Sequence, residues 1–219
     1  MNKTSALSPL AGAAKASAIA LYAKPSPGYA AKRAAAEALL RRAAALGAVT
    51  QANSLGVEDM VLTDMIRRLQ LPISVFVLET GRLHTETLAL LERTQALEGI
   101  EVQVFRPKQE AVIQFIRTQG QDAIYDSVAQ RKYCCDIRKM EPLSRALAGK
   151  KGWITGLRRE QSNARAEVPQ VDESEQASKG LTKFNPLADW TQGDVWHYVL
   201  ENHVDYNPLH DQFYPSIGC

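Results

Sequence analysis

Three cysteines among 219 residues, an odd number with two of them adjacent, cannot make the disulfide framework of a secreted protein. A reducing compartment, the cytoplasm, is the expected home. Surplus charge is equally scarce, since the formal balance is +2. That excludes a surface built to wrap nucleic acid, while leaving room for a local basic pocket for one small anion. Long apolar runs are missing too: Ala18-Ile19-Ala20-Leu21-Tyr22-Ala23 is too short for a secretory core or a membrane span, so no membrane partner is expected. Acid is absent before Glu37, which gives the alanine-rich start the basic, serine-containing, acid-poor character of a transit peptide. Residues 1–28, broken at Pro25-Ser26-Pro27-Gly28, are read as a loosely ordered or partly helical lead-in. Residues 29–219 are read as a single domain, long enough for one sizeable core.

Within that domain the pattern alternates. Alanine, leucine and arginine from Tyr29 to Leu46 favour a helix, and Gly47 is placed to end it. Ala48-Val49-Thr50-Gln51-Ala52-Asn53 reads as a strand, followed by Ser54-Leu55-Gly56 and a helix with Val57, Val61, Leu62, Met65, Ile66 and Leu69 on its apolar face. A strand entering a tight turn that opens a helix is the geometry of a phosphate site. Ser54 supplies a hydroxyl, Gly56 permits close backbone approach, and the helix start offers unpaired N–H groups. The alternative is an ordinary turn with a serine cap. No Gly-Lys-Ser/Thr follows, so this is not a Walker loop. Ile73 to Leu78 repeats the strand, ends in Glu79-Thr80-Gly81-Arg82-Leu83-His84 and leads to a helix over residues 85–97. Val102-Gln103-Val104-Phe105 is the next strand. His84 is as well suited to the helix start or the surface as to a ligand. The alternation predicts an α/β fold, a parallel twisted sheet covered by helices on both faces, with ligands at the carboxyl ends of its strands.

Adjacent cysteines, Cys134 and Cys135, are awkward ligands for one tetrahedral zinc, whose ligands are usually spaced further apart. An iron–sulfur cubane relaxes the problem, because each thiolate can bind a different iron. Buried structural thiols, or a strained disulfide between neighbours, remain open on the pair alone. Arg131, Lys132, Arg138 and Lys139 surround it with positive charge, which is either a solvated face or compensation for thiolates and an anionic substrate. A helix is expected here, with Met140, Leu143 and Leu147 as its buried stripe. Residues 151–156 read as a further strand into a glycine turn, and Arg158, Arg159 and Arg165 follow on a loop suited to bidentate binding of phosphate or sulfate oxygens. Thr191-Gln192-Gly193-Asp194 looks like a capping box for a helix burying Val195, Trp196, Val199 and Leu200. Trp190 and Trp196 are taken as core residues.

Taken in order, SLGVEDMVLTD, VLETGRLHTET, YCCDIRKMEPL, GLRREQS, KFNPLADWT, DVW and YNPLHDQFYPSIGC resemble the assimilatory sulfonucleotide reductases, specifically the cluster-containing adenylyl-sulfate reductases. The resemblance covers residues 51–219, and the cysteine pair beside Ile137-Arg138-Lys139 is its most specific part. It implies an adenine-nucleotide α-hydrolase-like fold related to the PP-loop pyrophosphatases. It also implies conversion of adenosine 5′-phosphosulfate to sulfite and AMP in sulfate assimilation, with thioredoxin or glutaredoxin as electron donor. By motif, Ser54, Leu55 and Gly56 would form the pyrophosphate-type loop, Leu78 and Thr80 the nucleoside loop, and Gly156, Arg158 and Arg165 the arginine loop. Cys134, Cys135 and Cys219 would hold a 4Fe–4S cluster, with Lys139 between it and the substrate acting electrostatically. A homo-oligomer is left open.

Two departures are local: Glu79 stands where Asp is common, and Leu55 where Phe is common. A larger one is the end. The resemblance implies a fourth cluster cysteine in a C-x-x-C pair and a tail cysteine that attacks sulfur, and neither occurs in these 219 residues. A C-terminally truncated chain that binds substrate without turnover is therefore expected. The alternatives are a 3′-phosphoadenylyl-sulfate reductase, whose usual form lacks the cysteine pair, an ATP-consuming PP-loop enzyme, whose lysine-containing loop is absent, and a noncatalytic nucleotide- or cluster-binding module.

Overall fold

The computed structural model describes residues 17–214 together with Ser216 and Ile217. Cys219 and the first sixteen positions of the lead-in lie outside the described residues. Among the described residues six strands form one sheet: β1 (Val49–Ala52), β2 (Ser74–Leu78), β3 (Val102–Phe105), β4 (Gly152–Ile154), β5 (Val171–Asp172) and β6 (Thr182–Phe184), in the order β3-β2-β1-β4-β6-β5. Every pairing is parallel except β5 with β6 at one edge. The chain winds outward from β1 in one direction through β2 and β3, and in the other through β4. That reversal of strand order places a crevice between β1 and β4, outside their carboxyl ends.

Helices α1 (Ala18–Tyr22), α2 (Tyr29–Ala45), α3 (Val57–Arg68), α4 (Thr85–Gln95) and α9 (Gln192–Asn202) contribute to the main core. It is built around Leu40, Leu62, Ile66, Leu90, Trp190 and Trp196, so both tryptophans pack as expected. A smaller core unites Phe115 of α5 (Gln109–Gln119), Ala123 and Cys134 of α6 (Val128–Cys135). Helix α7 (Glu141–Leu147) packs on β2 and β3, and α8 (Gln176–Lys179) precedes β6. Among the described residues no helix is long and apolar enough to cross a membrane.

Two expectations change on contact with the structure. Leu200 is exposed on α9, and Tyr198 is buried in its place, its hydroxyl 3.0 Å from Asp64. The expected stripe of Met140, Leu143 and Leu147 is replaced by Cys134, Arg138, Pro142 and Ala146, all buried, whereas Met140 is exposed. A π-helical turn over Asp136–Met140 is the reason. Pro142 cannot donate to the Arg138 carbonyl and its ring crowds that oxygen, so the chain widens one turn before it and shifts the face behind it. Residues 17–28, partly helical in α1, are docked on the domain: Ala18 is buried and its N–H donates to Asp211 (2.7 Å).

Asp194 anchors that docking. Its carboxylate completes the capping box with Thr191 N–H (2.9 Å) and also accepts from Ser26 N–H (2.7 Å), the Ser26 hydroxyl (2.9 Å) and Lys32 Nζ (3.0 Å). A side chain at neighbouring Gly193 would collide with the Lys24 carbonyl. Burial alone would raise the Asp194 pKa, but the converging donors hold it at about 2. A depressed carboxylate contributes stability that is complete above the unfolded value near 4 and lost as pH falls through the folded value. Asp194→Ala is therefore expected to cost roughly 2–4 kcal/mol at neutral pH. The difference from wild type should shrink between pH 4 and pH 2, as read by urea unfolding across that range.

Candidate functional site

A cavity of about 830 Å³ opens at the carboxyl ends of β1, β2 and β4, within the range of small-molecule sites. The turn after β1 is unusual. Leu55, with φ of 65°, occupies the left-handed region that a branched side chain rarely enters, and its own side chain is fully buried. Its N–H donates to Asn53 Oδ1 (2.6 Å), which fixes the turn, whereas Gly56 has an ordinary extended backbone. The strained position is thus Leu55, and Gly56 supplies room beside Ser54. No side chain caps α3 at Gly56, so a serine cap is not formed. Unpaired first-turn N–H groups at such a helix start suit an anion.

Ser54 is bonded to Asp59 instead. Its N–H and hydroxyl donate to Asp59 Oδ2 (2.8 and 2.6 Å), and Asp59 Oδ1 accepts the N–H of Gly156 across the crevice (2.9 Å). A Cβ at Gly156 would sit 2.5 Å from Asp59 Oδ1 and 2.8 Å from Glu58 Cβ, so only glycine fits. Behind this clasp, buried Gln51 donates to the Asp59 carbonyl (2.7 Å), and Asn53 donates to Thr63 (2.9 Å), tying α3 to β1 through polar side chains. Burial raises the Asp59 carboxyl to about 6, assisted by nearby Glu58 and opposed by the bonds from Ser54 and Gly156.

Arg158 is buried to 6% exposure on the loop after β4. Its guanidinium meets Glu58 Oε1 through Nε (3.0 Å) and Nη2 (2.9 Å), and Glu160 through Nη1 (2.9 Å). Arg165 reaches Gln161. Arg159 turns away to Asp189 and the Val168 carbonyl and does not line the cavity. On the other loop, Glu79 accepts the Gly81 N–H (2.6 Å) and pairs with Arg106 (3.1 Å), while buried Thr80 gives its carbonyl to Arg138 Nη1 (2.6 Å). Arg138 belongs to the π turn. The same turn carries Lys139 to the cavity wall.

The phosphoadenosine phosphosulfate reductase domain family matches residues 48–219. The chain belongs to that family. A relative from Allochromatium vinosum named adenosine 5′-phosphosulfate reductase is 50% identical over 186 residues, spanning 85% of this chain and 72% of the relative. Among solved structures, the phosphoadenylyl-sulfate reductase of Candida auris in complex with phosphate is similar at a TM-score of 0.71 and 27% identity, covering 84% of this chain and 87% of that one. Yeast FAD synthetase with bound FAD shares the fold at a TM-score of 0.54 and 12% identity, over 92% of this chain and 70% of its own. These likenesses agree with the mostly parallel α/β nucleotide-binding architecture of the PP-loop type.

Within this reductase-family domain, eight residues singled out in the sequence converge on the cavity: Ser54, Gly56, Leu78, Thr80, Lys139, Gly156, Arg158 and Arg165. Leu55 stands behind it as a core residue. Cys134 and Cys135 are free thiols, one buried and one half-buried, and lie off the cavity. Their freedom removes the neighbour-disulfide reading. His84 begins α4 without a side-chain cap and sets its ring 5.9 Å from that of Tyr214. Glu58, Asp59, Gln161 and His210 also line the cavity; Glu58 and Asp59 belong to the Ser54–Asp59 stretch expected there but had no role of their own, and Gln161 and His210 had none either. For the first two, acid in the first turn of a helix is so general a preference that it carries no site signal.

Gly156→Ala should break the clasp between the β1 and β4 loops and weaken nucleotide binding at least tenfold by calorimetry, with circular dichroism unchanged. Asp59 gives a second test. A carboxyl whose folded pKa lies above its unfolded value of 3.8 destabilises the fold increasingly between those two pH values and by a constant amount above about 6. Asp59→Asn should therefore remove this pH dependence, so that on top of a constant loss from the clasp bond its amide nitrogen cannot accept, the difference from wild type moves in the variant's favour by on the order of 1–3 kcal/mol between pH 4 and pH 7, measured by denaturant unfolding.

Proposed function

We propose that this chain binds adenosine 5′-phosphosulfate in the cavity and serves its reduction to sulfite and AMP in cytoplasmic sulfate assimilation. Two electrons are supplied by a dithiol protein of the thioredoxin or glutaredoxin type, which leaves as the disulfide. The observation that carries this reading is the convergence of Lys139, Arg158, Arg165 and the α3 amino end on one cavity, in a chain half identical to a protein of that name. Planar guanidinium groups match phosphate and sulfate oxygens, and the open helix end favours negative charge.

Cys134, Cys135 and Cys219 are the residues we assign to a 4Fe–4S cluster. Two observations support the assignment. The pair is uncrosslinked, and Lys139, four residues beyond Cys135, lines the cavity, so the thiol helix and the ligand site share one element. Among the described residues no three metal-ligating side chains come together, as Cys219 lies outside them. The cluster, when bound, would supply local charge organisation beside the cavity. Lys139 and Arg158 would offset charge on the phosphosulfate and on the departing AMP. Cys134 and Cys135 are ligands in this scheme, so neither attacks sulfur.

A 3′-phosphorylated substrate is the second reading, favoured by the likeness to the Candida auris protein. Calorimetric titration decides: adenosine 5′-phosphosulfate should bind more tightly than ATP and than its 3′-phosphorylated form. Tighter ATP binding would overturn the assignment. Lys139→Ala and Arg158→Ala should each weaken binding roughly 10–100-fold, and Arg158→Lys should restore only part, because it keeps the charge and loses the fork. A sulfonate mass adduct on Cys134 or Cys135 would contradict their role as ligands.

A further inference from the structure

His210 sits on the turn Pro208–Gln212, which Asn207 fixes by accepting the Leu209 N–H (3.1 Å) and donating to Thr87 (2.8 Å). The imidazole packs edge-on against Trp196 with centroids 5.3 Å apart, and the residue is only 6% exposed. Nδ1 lies 2.9 Å from the Tyr214 carbonyl. A carbonyl only accepts, so Nδ1 carries the hydrogen and a neutral ring presents a bare Nε2 on its other edge. That Nε2 is buried and has no hydrogen-bond partner among the described residues. The ring borders the large cavity, and also a recess of about 50 Å³ that it shares with Glu58, Arg158 and Gln192. Buried polar atoms are rarely left unpaired, and one on a residue that lines a ligand cavity points to the ligand as its partner.

We propose that His210 is a direct ligand contact that takes a proton at Nε2 as an anionic ligand enters, so that binding of the phosphosulfate is coupled to proton uptake. This rests on the function proposed above. The charges around the ring favour it. In the cavity wall Glu58, Asp59 and Glu160 oppose Lys139, Arg158 and Arg165, a formal balance of three against three. Arg158 is already shared between two of those carboxylates. Burial holds the empty site's imidazole below its ordinary pKa, against the Tyr214 carbonyl and the carboxylates of Glu58 on α3 and Asp211 on the same turn, which favour the charged form. The other groups at the ring edge, Trp196 and Gln192 on α9, are uncharged. A polyanion entering this balanced wall adds negative charge without bringing a cation. One proton on Nε2 supplies that cation, and the imidazolium then has both N–H groups bonded, Nδ1 to Tyr214 and Nε2 to the ligand.

The test is calorimetric titration of the cluster-loaded chain with adenosine 5′-phosphosulfate, whose phosphosulfate does not titrate near neutrality, in two buffers of different ionisation enthalpy. Wild type should show net proton uptake and an affinity falling by up to about tenfold per pH unit above neutrality. His210→Gln should bind more weakly, without uptake and with a flat pH profile. Equal heats in both buffers, or uptake persisting in His210→Gln, would overturn the proposal. Should that variant not fold, nitrogen-15 shifts of the wild-type ring report directly: Nε2 must move to its protonated position on adding ligand, and an unmoved signal has the same negative force. Failure of wild type to bind at any pH would overturn the proposed function as well, whereas binding without proton uptake overturns this inference alone.

Discussion

Everything in the site is referred to the clasp between Asp59 and Gly156. Parallel strands β1 and β4 diverge into separate loops at their carboxyl ends, and the pairing between these two strands ends at Ile154, too early to hold the loops together. A carboxylate rooted in the first turn of α3 does so, by accepting one N–H from each loop. The approach is so close that the β4 side has no room for a Cβ. The bond works because Asp59 is itself held from behind, where Gln51 donates to its carbonyl from the sheet interior. Polar residues in the central strand thus act as the rigid support for a loop that would otherwise be free to move, with the partial burial of Asp59 as the cost.

On the opposite side the same task falls to the π turn. A π turn sets the residues on its two sides at a different angle from one another than a continuous α-helix would. The widened turn before Pro142 buries Arg138, which reaches the Thr80 carbonyl, and brings Lys139 to the cavity. Gly81 completes the fit: its φ of 74° and missing Cβ leave space for the Arg138 guanidinium, which would lie 3.1 Å from an added carbon. Cys134 and Cys135 stand one turn earlier on the same continuous element. The cysteine pair and the loop after β2 are thus joined through one buried arginine, Arg138, carried on the turn that follows the pair.

The alternation of strands and helices, the capping box and the packing of both tryptophans were legible because each rests on local periodicity or on a four-residue pattern. So was the gathering of Ser54, Thr80, Gly156 and Arg158, because loops at the carboxyl ends of adjoining parallel strands must meet. What was not legible depends on partners distant in sequence or on backbone geometry. Asp59 reads as ordinary acid in a first helical turn until Gly156, 97 residues later, is seen to donate to it. The left-handed Leu55 looks like a substitution for an aromatic residue, whereas its side chain is a core plug and its backbone makes the turn. Strands β5 and β6 have two and three residues and include charged side chains, too little for an alternating pattern to register. The stripe of Met140, Leu143 and Leu147 is displaced for a local reason, a proline that widens the turn before it.

The electrostatics of the cavity follow from the same construction. A site meant to hold a polyanion could be lined with uncompensated cations, but such a lining would repel itself when empty and destabilise the loops that form it. Here Glu58 and Glu160 occupy the Arg158 fork, and Gln161 bridges the same Glu58. Glu160 is 54% exposed in its side chain and also accepts the Gln192 N–H (2.6 Å), while Glu58, at 18%, is held between arginine and amide. Of the two carboxylates on Arg158, Glu160 is the one nearer solvent. Arg158 remains oriented by Glu58 as the ligand arrives, so the guanidinium plane need not be ordered at that moment, and the conformational cost of binding falls on the exposed Glu160 side chain.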